Sequence, residues 1–486
     1  MSWLMHDQYG AALDMLAALR VNGLPFCTRF DVATTQERRI VHGLRIHRGR
    51  RGAKAPRAVL IVGGAHAREM APPEAVLLFA TAVCHSYVNG TDLSFGGKTY
   101  PAAVAQWLVE ALELFVVPLL NPDGRAWVES TDQWWRKNRR FGTCRGVDIN
   151  RNYDFLFTSG LGTSNDPCDY QIYRGPGAAS EPEVRGIRDL LDAHYNIRGV
   201  LDVHAYTGLI LYPWGDDQNQ STDPAMNFRN SAWDGQRGFR NDTYREHMVN
   251  KDLLFFQRTA KRMQDRVKEV ANRNYTTQQG FDLYPISANL KDYPYSRHLA
   301  SPPRSKILSM AVEIGYAADG GFRPAPDAVA QIVRQEGAVL IVEYCLAIMC
   351  VGDAVLSSAA AARTMAGEFR VMRDTLQESR TGAQYVDWLE ALSGEVLPRL
   401  ADPAVLRDVP AVLKKVRAWW RAGTRPLDED TAARTARLLR TLRRRASLEL
   451  RTAIDAATAD VERLVGVTAA EAPEKLRGGG RKQQRR

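Results

Sequence analysis

The stretch LIVGGAHAREMAPPEAVLL, residues 60–78, decides how the fold is interpreted. An apolar run typical of a buried strand stops at two glycines, and Pro72 and Pro73 then open an apolar pattern with helical spacing. His66 and Glu69 lie between these two elements, three residues apart. A strand that turns into a helix is one unit of an α/β fold, and here the turn carries two potential metal ligands.

Three further segments have the apolar character of the first strand. The four predicted strands are 58–64, 112–120, 197–206 and 305–316, and the neighbouring amphipathic stretches are 73–88, 181–195, 251–271 and 327–349. Alternation of strands with helices predicts an α/β fold with a mixed, mostly parallel central sheet and helices on both faces. In such sheets, ligands bind beyond the carboxyl ends of the strands. His66, His204 and Glu313 all lie at or just past a strand end, so we expect them to share one site.

Composition places the chain among globular proteins. Of its 486 residues, 45% are hydrophobic and 25% charged, and no apolar run is long enough to predict a membrane span. The six cysteines include no CxxC pair, which argues against a disulfide scaffold and against a thiolate zinc site. The N-terminus lacks a signal-peptide pattern, so we expect a cytoplasmic protein, although secretion by another route stays open.

The strand pattern stops at about residue 350. Segments 353–375, 382–400, 404–421 and 428–466 have helical periodicity. We therefore predict an α/β domain over 1–350, a helical region over 351–470 and a disordered basic tail over 471–486. The arginine-rich face of the helical region would suit an acidic partner, but such faces are usually solvated, and we do not expect nucleic-acid binding.

A zinc ion in a catalytic site takes three protein ligands and leaves one position for water. His66 and Glu69 share a turn, and His204, at the end of another predicted strand, is the best third candidate. The pair His-x-x-Glu also arises by chance, and His204 could equally be a hydrogen-bonded core residue. Spacing alone leaves both interpretations open.

Six motifs resemble, in order, those of the zinc carboxypeptidases of the pancreatic A and B type. The resemblance covers about residues 5–350. The motifs are GGAHAREM (63–70), NPDGRAW (121–127), WWRKNRR (134–140), CRGVDINRNYDF (144–155), HAYTGLILYPWG (204–215) and MAVEIGYAADGGFRPAP (310–326).

The resemblance implies a metallocarboxypeptidase, a hydrolase that removes the C-terminal residue of peptides or proteins with one Zn²⁺ ion as cofactor. It implies that His66, Glu69 and His204 are the zinc ligands. Glu313 matches the general base that activates water, and Arg136 matches the arginine that stabilises the developing oxyanion.

The resemblance also implies a set of substrate-binding residues. Arg151, with Asn150 beside it, matches the site for the terminal carboxylate, whose two oxygens suit a planar guanidinium. Arg68 matches a position that lines the substrate groove. Tyr284 matches the mobile tyrosine that caps the bound terminal residue, whereas the spacing of Tyr295 fits a structural aromatic.

Lys291 falls at the base of the side-chain pocket of that family. A buried ammonium needs a counter-charge, which predicts a preference for C-terminal Glu or Asp. If Lys291 instead extends to water, the pocket is neutral. Cys144 and Cys168 fall where the family has a disulfide, but would stay thiols in a reducing compartment. Two other functions stay open: a zinc amidase acting on cell-wall peptides, and a non-catalytic peptide-binding relative.

Overall fold

The computed structural model describes residues 3–48, 55–300, 303–349 and 399–477, the last without 401, 402 and 445, and the single positions 384 and 396. The chain divides into two compact units. One comprises Met1–Thr99 and Leu112–Ile348, and the other comprises Tyr100–Ala111 and Met349–Arg486. Tyr100–Ala111 is thus grouped with the second unit, and the predicted domain boundaries at about 350 and 470 stay predictions.

The first unit is built on an eight-stranded sheet. Its strands are β1 Cys27–Thr34, β2 Ile40–Ile46, β3 Ala58–Gly63, β4 Glu113–Val117, β5 Ile197–His204, β6 Leu209–Tyr212, β7 Thr276–Gln279 and β8 Leu308–Glu313. The spatial order is β7-β6-β8-β5-β3-β4-β2-β1. Strands β8, β5, β3 and β4 are mutually parallel neighbours, and they are the four that the sequence predicted.

The remaining strands extend this parallel centre on both sides. Strand β6 is antiparallel to β8 and parallel to β7, while β2 is antiparallel to both β4 and β1. The predicted mixed, mostly parallel sheet is confirmed. Strands β1, β2 and β7 contain polar, partly exposed residues, and β6 is apolar but only four residues long, so the sequence pattern missed all four.

The helices before residue 350 alternate with the strands along the chain. In chain order they are α1 Gln8–Ala17, α2 Ala71–Asn89, α3 Ala102–Glu110, α4 Pro122–Ser130, α5 Pro182–Ala193, α6 Asn250–Ala271, α7 Gly280–Leu283, α8 Tyr293–Ser296 and α9 Ala328–Ile348; α3 belongs to the second unit. Helices α2, α6 and α9 pack together, while α1 and α5 pack against β1. Every residue of β3 and β4 is buried, which requires cover on both faces.

Shorter elements lie between these strands and helices along the chain. The short strands are Arg20–Val21, Leu24–Pro25, Leu93–Phe95, Lys98–Tyr100, Asn219–Gln220 and Glu246–His247, and the 3₁₀ helices are Ile149–Arg151, Ser231–Trp233, Arg297–Leu299 and Ala317–Asp319.

The two glycines after β3 let the chain pass close to the segment that follows β4. A Cβ on Gly63 would lie 2.8 Å from Pro118 O, and one on Gly64, whose φ is +67°, would lie 2.8 Å from Leu119 Cδ1. Leu120 N donates to Gly63 O at 2.9 Å, so the two strand ends are held together. This contact fixes the turn that carries His66 and Glu69.

The described part of the second unit after residue 399 is helical. Its helices are α10 Pro403–Ala422, α11 Glu429–Arg443, α12 Leu448–Arg463 and α13 Ala472–Arg477. The predicted segment 428–466 is thus two helices, because Ser447 caps a new helix by accepting the N–H of Leu450 at 3.1 Å. Among the described residues, no helix has the length and apolar character needed to cross a membrane.

Helix α13 corrects the predicted tail. Ala472 and Leu476 are buried in a cluster with Leu427 and Leu464, which gives residues 472–477 the apolar contacts that a disordered tail lacks. The predicted helix 353–375, nearly all of 382–400 and the tail from residue 478 lie outside the described residues.

Candidate active site

Three predicted metal ligands meet at the carboxyl edge of the sheet. His66 and Glu69 leave the turn after β3, and His204 is the last residue of β5. Their ligand atoms all lie within 4.8 Å of one another, and all three residues are buried. Nδ1 of His66 lies 2.7 Å from one Glu69 oxygen, and Nδ1 of His204 lies 3.2 Å from the other. Two imidazoles and one carboxylate form a donor set that fits zinc.

The opposite nitrogen of each imidazole faces a buried carboxylate. Nε2 of His204 lies 2.7 Å from an oxygen of Asp202, and Nε2 of His66 lies 3.3 Å from an oxygen of Asp148. A carboxylate on the outer nitrogen fixes the tautomer and orientation of a metal-binding histidine. Both rings are therefore oriented so that Nδ1 faces the metal position.

The electrostatics keep Glu69 ionised in spite of its burial. Burial alone raises the pKa of Glu69, but the adjacent His66 and His204 outweigh it and hold that pKa below its usual range. Ala205 N also donates to Glu69 at 3.0 Å. A carboxylate that remains charged inside the protein suits a cation ligand.

Glu313 ends β8 and opens onto the same cavity as the three ligands. Burial raises the pKa of Glu313 to about 8, opposed by the positive charge of His204 and reinforced by the negative charge of Glu69. No hydrogen-bonding partner of its carboxylate is seen in the described part of the chain. The position and the absence of a structural bond are what a proton-transfer group requires.

Arg136 lies beside the ligands on a loop that is bonded to their turn. Its Nε and Nη2 donate to one oxygen of Asp148 at 3.0 and 2.9 Å, and its backbone carbonyl accepts from Ala67 N at 3.0 Å. Burial lowers the pKa of Arg136, but Asp148 more than compensates, so the guanidinium stays charged. Asp148 thus orients both Arg136 and His66.

Arg151 lies in the 3₁₀ helix Ile149–Arg151 and is buried. Its Nε donates to Gly162 O at 2.7 Å, its Nη1 to Asn150 O at 2.8 Å, and its Nη2 to the hydroxyl of Tyr284 at 3.1 Å. Tyr284 is 43% exposed, so much of its side chain faces solvent. The predicted carboxylate-binding arginine and the predicted capping tyrosine are therefore in contact.

Asn150 is oriented differently from the sequence expectation. Its Oδ1 accepts the N–H of Leu290 at 2.8 Å, which fixes the amide, and its Nδ2 lies 3.3 Å from Asp202 and 3.1 Å from Nε2 of His204. Because Nε2 of His204 donates to Asp202, it cannot also accept from Asn150, so Asp202 is the acceptor for the Asn150 amide here. A bond from Asn150 to a substrate carboxylate stays a prediction.

Lys291 lies in the wall of the cavity and is buried. Its ammonium pairs with Asp292, whose second oxygen accepts from Gly215 N at 3.1 Å and from Asn289 at 2.7 Å. A Cβ at Gly280 would lie 2.5 Å from Nζ, so the glycine provides the space for the ammonium. Asp292 therefore supplies part of the counter-charge that the sequence analysis expected from a substrate carboxylate.

One cavity of about 230 Å³ brings nearly all the predicted site residues together. Arg68 is the exception, because it lies at the rim, with its guanidinium 4.3 Å from the centre of the Phe322 ring and its Nη1 3.3 Å from Trp134 O. The nine predicted residues that line the cavity are His66, Glu69, Arg136, Asn150, Arg151, His204, Tyr284, Lys291 and Glu313. Tyr295, the rejected alternative, is buried and donates to Asp252 at 2.8 Å.

Sequence analysis missed the carboxylates that orient the site. Asp202 precedes His204 by two residues on a strand, and this spacing places both side chains on one face. Period-two spacing from a predicted ligand was therefore an available signal for Asp202. Asp148 caps the 3₁₀ helix Ile149–Arg151 and is far from His66 in the sequence, so no such spacing pointed to it. Cys144 and Cys168, which the sequence left open, form a disulfide.

Comparisons with known proteins identify the family of this chain. Residues 14–337, more than half of the chain, match the family described as zinc carboxypeptidase. Carboxypeptidase A1 of Homo sapiens is 34% identical over 206 residues, which are 42% of this chain and 45% of that protein. Carboxypeptidase B of Astacus astacus is 33% identical over 220 residues, which are 44% of this chain and 66% of that protein. The chain thus spans about half to two thirds of the length of these curated relatives.

Solved structures share the fold. Thrombin activatable fibrinolysis inhibitor superposes with a TM-score of 0.56 at 20% identity, covering 71% of this chain and 74% of the other. Carboxypeptidase A from Helicoverpa armigera gives a TM-score of 0.53 at 23% identity, covering 74% and 75%. At these identities the likeness shows the fold alone.

Proposed function

The chain belongs to the zinc carboxypeptidase family, and we propose that it hydrolyses the C-terminal peptide bond of peptides or proteins with one zinc ion. The main support is that the ligand set, Glu313, Arg136 and Arg151 all meet in one cavity. A non-catalytic binding module would not need a proton acceptor, an oxyanion-stabilising cation and a metal site together.

A carboxypeptidase must recognise the C-terminal carboxylate of its substrate, and the contacts of Arg151 suit this role. Two of its nitrogens are anchored to the backbone carbonyls of Gly162 and Asn150, so the guanidinium is held in place before substrate arrives. A substrate carboxylate would accept two bonds from it and displace the hydroxyl of Tyr284 from Nη2. Tyr284, released from this bond, would then close over the bound terminal residue.

A zinc ion held by His66, Glu69 and His204 would polarise the scissile carbonyl and lower the pKa of a water molecule to roughly 7. Glu313 takes a proton from the attacking water and passes it to the leaving amine. Arg136 keeps Nη1 for the developing oxyanion, because Nε and Nη2 bind Asp148. Asp148 and Asp202 hold the two imidazoles in place through the reaction.

We further propose a preference for C-terminal Glu or Asp. A lysine ammonium has three donors, and Asp292 is the one partner of Lys291 among the described residues, so donors remain for a substrate carboxylate. Asp292 itself is stabilised by Gly215 N and Asn289, which lessens its demand on the ammonium. The preference therefore depends on the free donors of Lys291 and not on an unpaired charge.

The test uses the full chain with measured zinc content. Wild-type protein should release single C-terminal residues from a peptide, as followed by mass spectrometry, and lose this activity on zinc chelation. Glu313→Gln should lower kcat by about 10²- to 10⁴-fold and retain zinc, because Glu313 is not a ligand. The matched control is Glu269→Gln, an exposed glutamate paired with Lys98. A zinc-loaded wild type that releases no terminal residue would refute the proposal.

A further inference from the structure

The guanidinium groups of two arginines near the cavity contact two consecutive backbone carbonyls. Nη1 of Arg68 donates to Trp134 O at 3.3 Å, and Nη1 of Arg323 lies 3.4 Å from Gln133 O and 3.6 Å from Met70 Sδ. Neither guanidinium forms an ion pair with any carboxylate in the part of the chain that the structure describes. Most arginines of a folded protein are solvated or paired, so two adjacent ones without an acid need an explanation.

Arg68 also retains unsatisfied hydrogen-bonding capacity. Its Nε is buried and has no hydrogen-bond partner among the described residues, while its guanidinium stacks on the Phe322 ring at 4.3 Å. A buried donor without a partner costs free energy, and a ligand that accepts from it would recover that cost. The stacking on Phe322 holds the planar group in a fixed orientation for such a ligand.

The neighbouring charges leave this part of the rim positive. Arg125 is buried next to the same methionine, with Nη1 2.9 Å from Met70 Sδ. Burial, and then the charge of Arg136, lower the pKa of Arg68, while burial and then Arg125 lower that of Arg323. The carboxylates whose charges act on Arg68 are otherwise engaged: Glu69 belongs to the metal site, and Asp148 accepts from Arg136 at 2.9 Å.

The position of this pair relative to the metal site suggests its ligand. Phe322 lines the cavity and packs edge-on against Tyr206, with ring centres 4.8 Å apart. A peptide whose terminal carboxylate binds Arg151 and whose scissile carbonyl lies at the ligand triad must continue past the triad. Its upstream residues would then pass over Phe322 toward Arg68 and Arg323.

We propose that Arg68 and Arg323 form an anion subsite that binds the carboxylate of an acidic residue upstream of the scissile bond. Preferred substrates would thus carry one acidic residue before the scissile bond, bound by Arg68 and Arg323. A second acidic residue after the bond would be bound by Lys291. This inference rests on the proposed function, and it adds Arg323 as a specificity-determining residue that sequence analysis did not single out. A guanidinium pair favours a carboxylate over an amide of the same shape, because both donors are charged.

The experiment compares peptides with one C-terminal residue and with Glu, Gln or Lys at the two positions before the scissile bond. Wild type should cleave the Glu peptide with kcat/KM about tenfold higher than the Gln peptide, mainly through KM, and the Lys peptide least. Arg323→Gln should reduce the Glu-to-Gln ratio toward one, and Arg323→Lys should restore part of it. The matched control is Arg20→Gln, an exposed arginine that binds only backbone carbonyls.

The outcomes separate the two proposals. Absence of cleavage of every peptide by zinc-loaded wild type would refute the carboxypeptidase function itself. Equal cleavage of Glu and Gln peptides by an active wild type, or an unchanged ratio in a folded Arg323→Gln protein, would overturn the subsite and leave the function intact. If Arg323→Gln does not fold, the ratio of kcat/KM for the Glu and Gln peptides in wild type alone tests the subsite. A ratio of one excludes it.

Discussion

Glu313 and His204 are register partners on the parallel strands β8 and β5, so the proposed base and a proposed metal ligand end their strands side by side. Neighbouring parallel strands bring their carboxyl ends to one sheet edge. The relative position of the two side chains is therefore fixed by backbone hydrogen bonds of the sheet and not by loop conformation. His66 and Glu69 lie in the turn after β3, which also pairs with β5, so they reach the same sheet edge.

Asp202→Asn should weaken zinc binding by about 10- to 100-fold, because the carboxylate that orients His204 through Nε2 loses its charge while the volume is kept. Competition with a chromophoric chelator measures the dissociation constant without relying on activity. Asp189→Asn, an exposed aspartate on α5, is the control. Zinc affinity equal to that of wild type would show that Asp202 does not orient the ligand.

Lys291→Gln should lower kcat/KM for a peptide ending in Glu by about 10- to 100-fold, since a charge-assisted hydrogen bond becomes a neutral one. Peptides that end in Gln or Leu should change far less. Steady-state kinetics on the three peptides give the ratios, with Lys98→Gln, a surface lysine paired with Glu269, as the control. A wild type that prefers C-terminal Lys, or that ignores the charge of the terminal residue, would contradict the acidic pocket.

Cys144→Ser should reduce the free energy of unfolding by about 3 kcal/mol, because the disulfide to Cys168 closes a loop with a sequence separation of 24. Urea unfolding with and without reductant measures the loss, and reduced wild type should resemble the variant. Alkylation without prior reduction should leave both cysteines unmodified. Free thiols at both positions in the native protein would instead agree with the cytoplasmic location that the sequence predicted.

Glu183→Gln should remove a pH-dependent loss of stability. Burial raises the pKa of Glu183 to about 8, and the nearby Glu181 and Asp123 act in the same direction. The unfolded chain releases this proton above about pH 4.3, whereas the folded protein keeps it until about pH 8. The free energy of unfolding of wild type therefore falls as the pH rises through this window.

The glutamine variant cannot titrate there, and its amide oxygen can still accept from Asn138. Its stability relative to wild type should thus increase between pH 5 and pH 8 in urea-unfolding experiments, by a few kcal/mol at most. Parallel pH dependence of the two proteins would show that Glu183 is already ionised in the folded state.

The sequence predicted the parallel centre of the sheet because buried strands are continuous apolar runs, as in Ala58–Gly63 and Glu113–Val117. An outer strand such as Thr276–Gln279 consists of polar residues only and is defined by its pairing partner, which a local pattern does not show. The single predicted helix over 428–466 failed for a related reason, since the cap at Ser447 competes with a continuous apolar stripe.

Spacing in the sequence suggested His66, Glu69 and His204 as candidate ligands, and the resemblance to a known family added Glu313 as candidate base and Arg151 as candidate carboxylate site. That Asp148 faces both His66 and Arg136, and that Arg68 and Arg323 contact consecutive backbone carbonyls, were decided by the tertiary structure alone. Such relationships join residues up to 253 positions apart, as Met70 and Arg323 are. They arise when the sheet closes and buried polar groups must find partners, and no local sequence pattern encodes that choice.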